Sequence, residues 1–423
     1  MLFRYLLPLF VAQSCLSVPA PILFRSSGID KYSFPTITVR GVESNLNPEP
    51  IRGSTGASIL GPQNIPVEVQ NLALLAPPAT DNGNIGNLKW PFSLSRMRLE
   101  NGGWARQQTV KDVPTATDIS GVNMRLEPGA IRELHWHTAN EWAYVLSGTV
   151  RISTVTPDGL VFVGDVSQGD LWYFPSGNPH SLQATNTTHG AEFLLIFDTG
   201  SFEEENTFLL TDWLSHIPKD VLAKNFGTGT DISPFDNIPT KELYIFKATP
   251  PPDNVESDRV VPNDTKNPNT FPLSQVTPTK TPGGSIKRID STSFTIAQAI
   301  SAVEAEVDVG GMRELHWHPT QPEWTYFIAG QARMTIFASS SNAQTYNFQA
   351  GDVAYIPPSF GHYIENTGSE PLKFLEVFKS ALAQDISLTQ WLALTPHELV
   401  KAHLGFSDEF ISKMSREKQE VVL

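Results

Sequence analysis

The sequence predicts an all-β protein made of two tandem antiparallel barrels with short helical appendages, and three observations predict it. The hexapeptide RELHWH stands at residues 132–137 and again at 313–318. Collinear echoes flank both copies: FLLIF at Phe193 against FLEVF at Phe374, and TDWL at Thr211 against TQWL at Thr389. The spacing is 181 residues at the paired histidines and 182 between His180 and His362, so the chain is an internal duplication. Between the echoes, short alternating apolar runs are separated by turn residues without a helical period, which is the pattern of a sandwich or barrel.

Taken in order, residues 1–20 (MLFRYLLPLFVAQSCLSVPA) place Arg4 before an apolar run to about Leu16, followed by small residues at Ser17 and Ala20. That is the layout of a secretory signal peptide, too short to remain as a membrane span. The only cysteine, Cys15, lies inside it, so the secreted chain would have neither thiol nor disulfide and would rely on cores and subunit contacts. Residues 21–88, rich in Pro, Gly and Asn, read as an extended arm that needs a neighbour to pack on. Residues 89–245 read as the first barrel: WARQQTV, VNMRLEP, EWAYVLSGTVRISTV, LVFVGDV, LWYFP and AEFLLIFD are strand segments. SFEEENTF (201–208) breaks that pattern with three consecutive glutamates. A helical stretch follows over TDWLSHIPKDVLAKNFG, opening after Pro218 and stopping at Gly227.

Residues 246–284 are a proline-rich linker, 285–385 repeat the strand series as the second barrel, and 386–423 form a helical extension covering SLTQWLALTPHELVKAHLG and SDEFISKMSREKQEVV. Apolar faces on such appendages commonly pack against another subunit, so a homo-oligomer is expected. A formal net charge of -14 over 423 residues argues against nucleic-acid or anionic-membrane partners, which require basic patches, and serves solubility. With secretion, Asn186 (NTT) and Asn263 (NDT) become glycosylation acceptors.

The chemistry concentrates in the repeated block. His135 and His137 stand one residue apart, so on a strand both imidazoles aim into one space. Glu141 follows after a bend, and His180 arrives from a second strand pair punctuated by Gly169, Pro175 and Gly177. The second half supplies His316, His318, Glu323 and His362. Three neutral imidazoles and one carboxylate suit a divalent ion such as Mn, Fe, Cu, Ni or Zn. The lack of thiolate disfavours the usual structural zinc site. Two positions would stay open on a six-coordinate ion. Arg132 and Arg313 lie three residues before His135 and His316, so each must swing in around a bulge or from the adjacent turn to reach its pocket. A pocket with both ion and guanidinium carries about two positive charges, a strong field for a small dianion. Trp136, Trp142, Trp172 and Tyr173 are expected to fill the barrel.

These residues form the pattern G(x)5HxH(x)3–4E(x)6G followed by G(x)5PxG(x)2H, which resembles the cupin signature. The first copy fits at Gly129, His135, His137, Glu141, Gly148, Gly169, Pro175, Gly177 and His180. The second fits at Gly310, His316, His318, Glu323, Gly330, Gly351, Pro357 and His362, with Ser359 where glycine is usual. RELHWH, GDLWYFPSGNPHSLQ, GHYIENTG, FLEVF and SLTQWLA resemble the bicupin oxalate decarboxylases from about residue 90 onward, the linker apart. The resemblance implies two double-stranded β-helix (jelly-roll) domains and two Mn2+ sites per chain. It also implies conversion of oxalate to formate and carbon dioxide, with dioxygen required but not consumed. It places the family's catalytic lid glutamate at Glu204, within EEEN instead of the family's SEN, and a comparable glutamate at Glu376. The lid stretch is three residues longer than its counterpart in the second half. A lid glutamate can deliver a proton while excluding water; a lid without one should favour oxidation and peroxide. The competing readings are an oxalate oxidase, recognised by stoichiometric peroxide, and a metal-free two-cupin storage protein. A third is a cupin acting on another small acid or a sugar.

Overall fold

The computed structural model describes residues 50–52, 54–68, 70–71, 78–204, 207–264, 266 and 268–423. The expected signal peptide with Cys15, most of the arm, and Glu205 and Asn206 of the acidic stretch lie outside the described residues. A hairpin of β1 (Ile51–Arg52) and β2 (Thr55–Gly56) and a single turn α1 (Ile65–Glu68) come first. Next are β3 (Lys89–Pro91), β4 (Met97–Glu100), β5 (Gly103–Gln108), β6 (Ser120–Leu126), β7 (Ile131–Trp136), β8 (Glu141–Ser147) and β9 (Thr149–Val155). The first half continues through β10 (Val161–Ser167), β11 (Leu171–Phe174), β12 (His180–Ala184), β13 (Ala191–Phe197), β14 (Phe208–Leu209), α2 (Leu210–Ser215), α3 (Lys219–Phe226), β15 (Ile245–Phe246) and β16 (Thr270–Phe271).

The second half repeats the series as β17 (Thr279–Thr281), β18 (Gly284–Ile289), β19 (Ser301–Val307), β20 (Met312–Trp317), β21 (Glu323–Ala329), β22 (Gln331–Phe337) and β23 (Ala343–Gln349). It closes with β24 (Asp352–Ile356), β25 (Gly361–Asn366), β26 (Leu372–Phe378), β27 (Ile386–Ser387), α4 (Leu388–Leu394), α5 (His397–Leu404), α6 (Asp408–Ser412) and β28 (Val421–Val422).

Each half is a pair of antiparallel sheets. In the first, β10-β9-β12-β7-β14 faces β16-β11-β8-β13-β6-β5-β4; in the second, β23-β22-β25-β20-β27 faces β17-β18-β19-β26-β21-β24-β3. The run 141–155 folds as two strands because Gly148 turns the chain at φ 78°, in the left-handed region that glycine enters without strain. Strand β8 is buried on both faces: Ala143 and Val145 point into the first barrel, while Trp142 and Tyr144 join a cluster with Trp324, Tyr326, Leu375 and Val377 of the second. Alternation therefore survives in β8 even though neither face meets water.

Two short strands cross between the halves. β3 pairs with β24, and the Lys89 ammonium lies 3.2 Å from the buried Asp352 carboxylate. Leu88 is fully buried in the second core, and Asp81 accepts from the Thr345 backbone and hydroxyl. The described end of the arm thus packs on the second barrel, and the first residues after it complete that barrel's sheet. In return β16, from the linker, pairs with β11 of the first barrel, and Leu273 beside it is fully buried. The linker is held along its length: Arg151 bonds Pro252 O and Asp258, and both amide atoms of Asn263 bond the Val163 backbone. Asn186 sits exposed on the β12–β13 turn.

Two sequence expectations change. Trp136 lies outside the barrel, stacked on Phe208 and edge-on to Trp213, because it falls on the opposite side of β7 from the buried His135. Only Trp172 of the four aromatics fills the first barrel; Trp142 and Tyr173 belong to the cluster between barrels. The expected terminal helix ends at Ser412, and Val421 and Val422 form β28 against β20. The buried Glu314 carboxylate captures the Gln419 and Glu420 backbone N–H groups, and two β-branched valines then suit a strand. Among the described residues no helix is long and apolar enough to cross a membrane.

Candidate metal centres

Strand β7 carries His135 and starts the turn that presents His137; β8 opens with Glu141, and β12 opens with His180. One nitrogen or oxygen of each converges so that all four lie within 4.8 Å of one another, fully enclosed. His316, His318, Glu323 and His362 repeat the arrangement in the second barrel. The structure brings all eight expected ligands together in two sets of four.

The imidazole tautomers follow from their outer partners. His135 Nδ1 donates to Glu133 O at 2.6 Å, His137 Nδ1 to Ala139 O at 2.8 Å and His180 Nδ1 to Asn178 O at 2.8 Å. In the second centre His316, His318 and His362 donate to Glu314 O, Gln384 O and Phe360 O at 2.7, 2.7 and 3.0 Å. Carbonyls only accept, so each ring carries its proton on Nδ1 and turns an Nε2 lone pair inward. Among the described residues Nε2 of His180 and His316 has no hydrogen-bond partner, and His318 Nε2 lies 2.8 Å from Glu323 Oε2. His137 Nε2 faces Glu141 Oε2 at 3.2 Å, acceptor against acceptor. Glu141 is held from behind by Trp172 Nε1–H at 2.7 Å, and Glu323 by the Thr325 hydroxyl. Buried lone pairs and a carboxylate meeting with no proton between them fit a divalent cation, and the donor set is the one such an ion takes.

The electrostatics agree. Burial, then the Arg132 charge, hold His135 well below its ordinary range; burial and Arg313 do the same to His316.

Of the two routes expected for the arginines, a bulge is present. His135 pairs with His180 while Arg132 pairs with Leu182, so β7 spends one residue more than β12. The same slip separates Arg313 from His316 opposite β25. The extra residue turns each arginine inward, where both are fully buried.

What meets each guanidinium differs. Arg132 Nε donates to Glu204 Oε1 at 2.7 Å and Nη2 to Thr207 Oγ1 at 2.9 Å, while its Nη1 has no partner among the described residues. Glu204 is itself buried, and its backbone N–H is held by Gln107 Oε1. Arg313 instead bonds Glu376 at 3.1 Å, Asp385 at 2.5 Å and the Glu420 carbonyl at 3.3 Å, so all three of its nitrogens are occupied. Asp385 also pairs with Lys418. Burial raises the Glu376 carboxyl against the opposing pull of Arg313.

Sequence reasoning missed four residues here: Glu133, Glu314, Tyr244 and Thr207. The glutamates sit inside the repeated RELHWH. Glu133 accepts from the Thr211, Leu243 and Tyr244 backbone N–H groups, and Glu314 from Gln419, Glu420 and the Ser387 hydroxyl. Their exact repetition was the available signal. Ser359, in the place of the usual glycine, takes φ 67° as Gly177 takes 78°, and its hydroxyl bonds Pro319 O.

Comparison with known proteins agrees with this geometry. The family model described as cupin matches residues 95–232 and 272–412. Oxalate decarboxylase OxdC of Bacillus subtilis (strain 168) is 50% identical over 383 residues, 90% of this chain and 98% of that protein. A probable oxalate decarboxylase of Arthroderma benhamiae is 42% identical over 380 residues, 88% of this chain and 93% of that protein. A solved structure of the Bacillus subtilis oxalate decarboxylase, described through its Mn(II) centres, superposes with a TM-score of 0.84 at 48% identity, covering 89% of this chain and 99% of that one.

Proposed function

The chain belongs to the bicupin oxalate decarboxylases, and we propose that it splits oxalate into formate and carbon dioxide at its first centre, with manganese in both. The observation that carries this reading is the buried Arg132, which reaches the acid Glu204 on one side and, among the described residues, keeps Nη1 without a partner on the other. Manganese is supported by the three-imidazole, one-carboxylate donor set and by the Mn(II) centres of the 48%-identical relative.

His135, His137, Glu141 and His180 would hold the metal, which when bound supplies a Lewis-acid site and, with dioxygen as co-reactant, a one-electron couple. Arg132 offers forked N–H donors to a carboxylate of oxalate and lowers the cost of bringing a dianion into a dry pocket. Glu204 and Thr207 both bond Arg132, and a lid glutamate placed there can exclude water from the pocket. Cleavage of the C–C bond releases carbon dioxide and leaves a one-carbon fragment that must gain a proton. The Glu204 carboxyl is the group placed to hold that proton and pass it to carbon. Oxalate plus one proton then balances as carbon dioxide plus formate.

Turnover is assigned to the first centre because the second has no free guanidinium nitrogen and surrounds Arg313 with two carboxylates. A dianion would have to displace both. Glu376 and Arg313 then serve to close the second centre around its metal.

Replacing Glu204 by Gln tests the reading: formate production should fall by about 100-fold or more, the usual scale of a lost general acid, with metal content unchanged. Undiminished formate from that variant contradicts it. Secretion through residues 1–20 and glycan on Asn186 or Asn263 belong to the same proposal; a secreted chain beginning near Val18 or Pro21 is the expected finding. A homo-oligomer is also proposed, built on the exposed Trp213, Phe226, Trp391 and Leu394 of the appendages.

A further inference from the structure

Behind each centre the chain makes the same return. After the helices it comes back to pair with the histidine strand, as β15 on β7 and as β28 on β20. The residue before each pair is held alike. Glu133 N–H donates to Tyr244 O while the Glu133 carboxylate accepts from Tyr244 N–H; Glu314 and Glu420 exchange the same two bonds. Both residues take a left-handed backbone, φ 52° at Tyr244 and 62° at Glu420. A non-glycine residue held there by paired bonds to a buried glutamate is fixed in place at some strain.

The two positions differ in what they offer the neighbouring arginine. Glu420 gives oxygen: its carbonyl accepts from Arg313 Nη1 and its carboxylate from Arg288. Tyr244 gives a ring. The Arg132 guanidinium carbon lies 4.3 Å from the ring centroid and that of Arg98 lies 3.5 Å from it. Arg98 is held in turn by Glu100 and Glu242. A π face balances positive charge without consuming an N–H.

We propose that Tyr244 is a positioning residue for oxalate binding: clamped by Glu133, its ring supports the Arg132 guanidinium and leaves Nη1 free for the substrate carboxylate. The duplication supports this from within. At Glu420, where no ring stands, the backbone carbonyl takes the corresponding nitrogen of Arg313, whereas at Tyr244 the ring lies against Arg132 and the backbone carbonyl does not take its Nη1. Tyr244 therefore contributes to which of the two centres accepts a dianion. This inference rests on the assignment of Arg132 to oxalate.

The test uses the full, manganese-loaded protein, with KM for oxalate and kcat measured apart. Tyr244→Leu keeps an apolar side chain but removes the π face; KM should rise by about tenfold, with a smaller change in kcat and unchanged metal content, since lost binding of the substrate appears in KM. Tyr244→Phe restores the ring and should bring KM back to within about threefold of the parent. Arg132→Gln separates the two levels of the argument. Unchanged KM in Arg132→Gln overturns both the site assignment and the platform. Raised KM in Arg132→Gln with unchanged KM in Tyr244→Leu overturns the platform alone. KM raised equally by Phe and by Leu also overturns it, because the hydroxyl and not the ring would then be acting.

Discussion

Single side chains separate two centres that share every ligand. Around Arg313 the decisive groups are Glu376 and Asp385; around Arg132 they are Glu204, Thr207 and the Tyr244 ring. Burial pushes Asp385 up, but Arg313 and Lys418 outweigh it and hold the carboxyl well below its ordinary range. The unfolded chain therefore binds the extra proton first as pH falls, and the stability that Asp385 contributes is full above the unfolded carboxylate pKa and fades below it. Asp385→Asn should lower stability at pH 7 on the order of 3 kcal/mol, the scale of breaking a buried ion pair, and by less at pH 3, as read from denaturant unfolding. Equal losses at both pH values would contradict the ion pair. The ligands and arginines were legible because they recur in two copies at one spacing. Tyr244 was not, since it lies 109 residues from His135 and nothing around it repeats: its counterpart is Glu420. Glu133 was passed over although alternation puts it on His135's side of the strand, where it is buried while Leu134 stays exposed.

Among elements, the stretch after β13 and the crossed strands carry most of the consequence. Phe197 to Thr211 and Phe378 to Thr389 start and end alike, but the first is three residues longer, and Glu204 falls in that excess. Thr207 and Asp385 then occupy matching places, each bonding Nη2 of its arginine. The inserted acid was legible through the repeat. The crossing of β3 and β16 was not: strands of three and two residues show no period, and prolines at 91 and 272 read as punctuation. Leu88, beside β3, sits in the second core despite its distance in sequence. Leu88→Ala should cost about 3 kcal/mol through the cavity it leaves, and should lower the metal-loaded protein's melting temperature. A loss below about 1 kcal/mol would show that the arm does not belong to that core.

Across the molecule, the barrels meet through the cluster that Trp142, Tyr144, Trp324 and Tyr326 share, closed by Trp324 Nε1–H to Gln108 at 2.7 Å. The approach is close: a Cβ on Gly121 would stand 2.3 Å from the Trp324 ring. Gly121→Ala should therefore force that ring aside and cost about 1–3 kcal/mol, seen as a lower denaturant midpoint. No loss would mean the barrels yield freely there. The duplicated β architecture was legible from repeats and turns, but the contact between the copies was not, because a strand buried on both faces still alternates. Native mass is the check on assembly: the proposed oligomer should run at a multiple of the mass of its denatured single chain, and a monomer would leave the appendage faces open.

Manganese-loaded protein given oxalate under air, with formate, hydrogen peroxide and oxalate all counted over one time course, bears on the whole account at once. Formate equal to the oxalate consumed, with peroxide far below it, is the result expected from an Arg132-held dianion and a Glu204 proton. Peroxide equal to the oxalate consumed, with no formate, would contradict it.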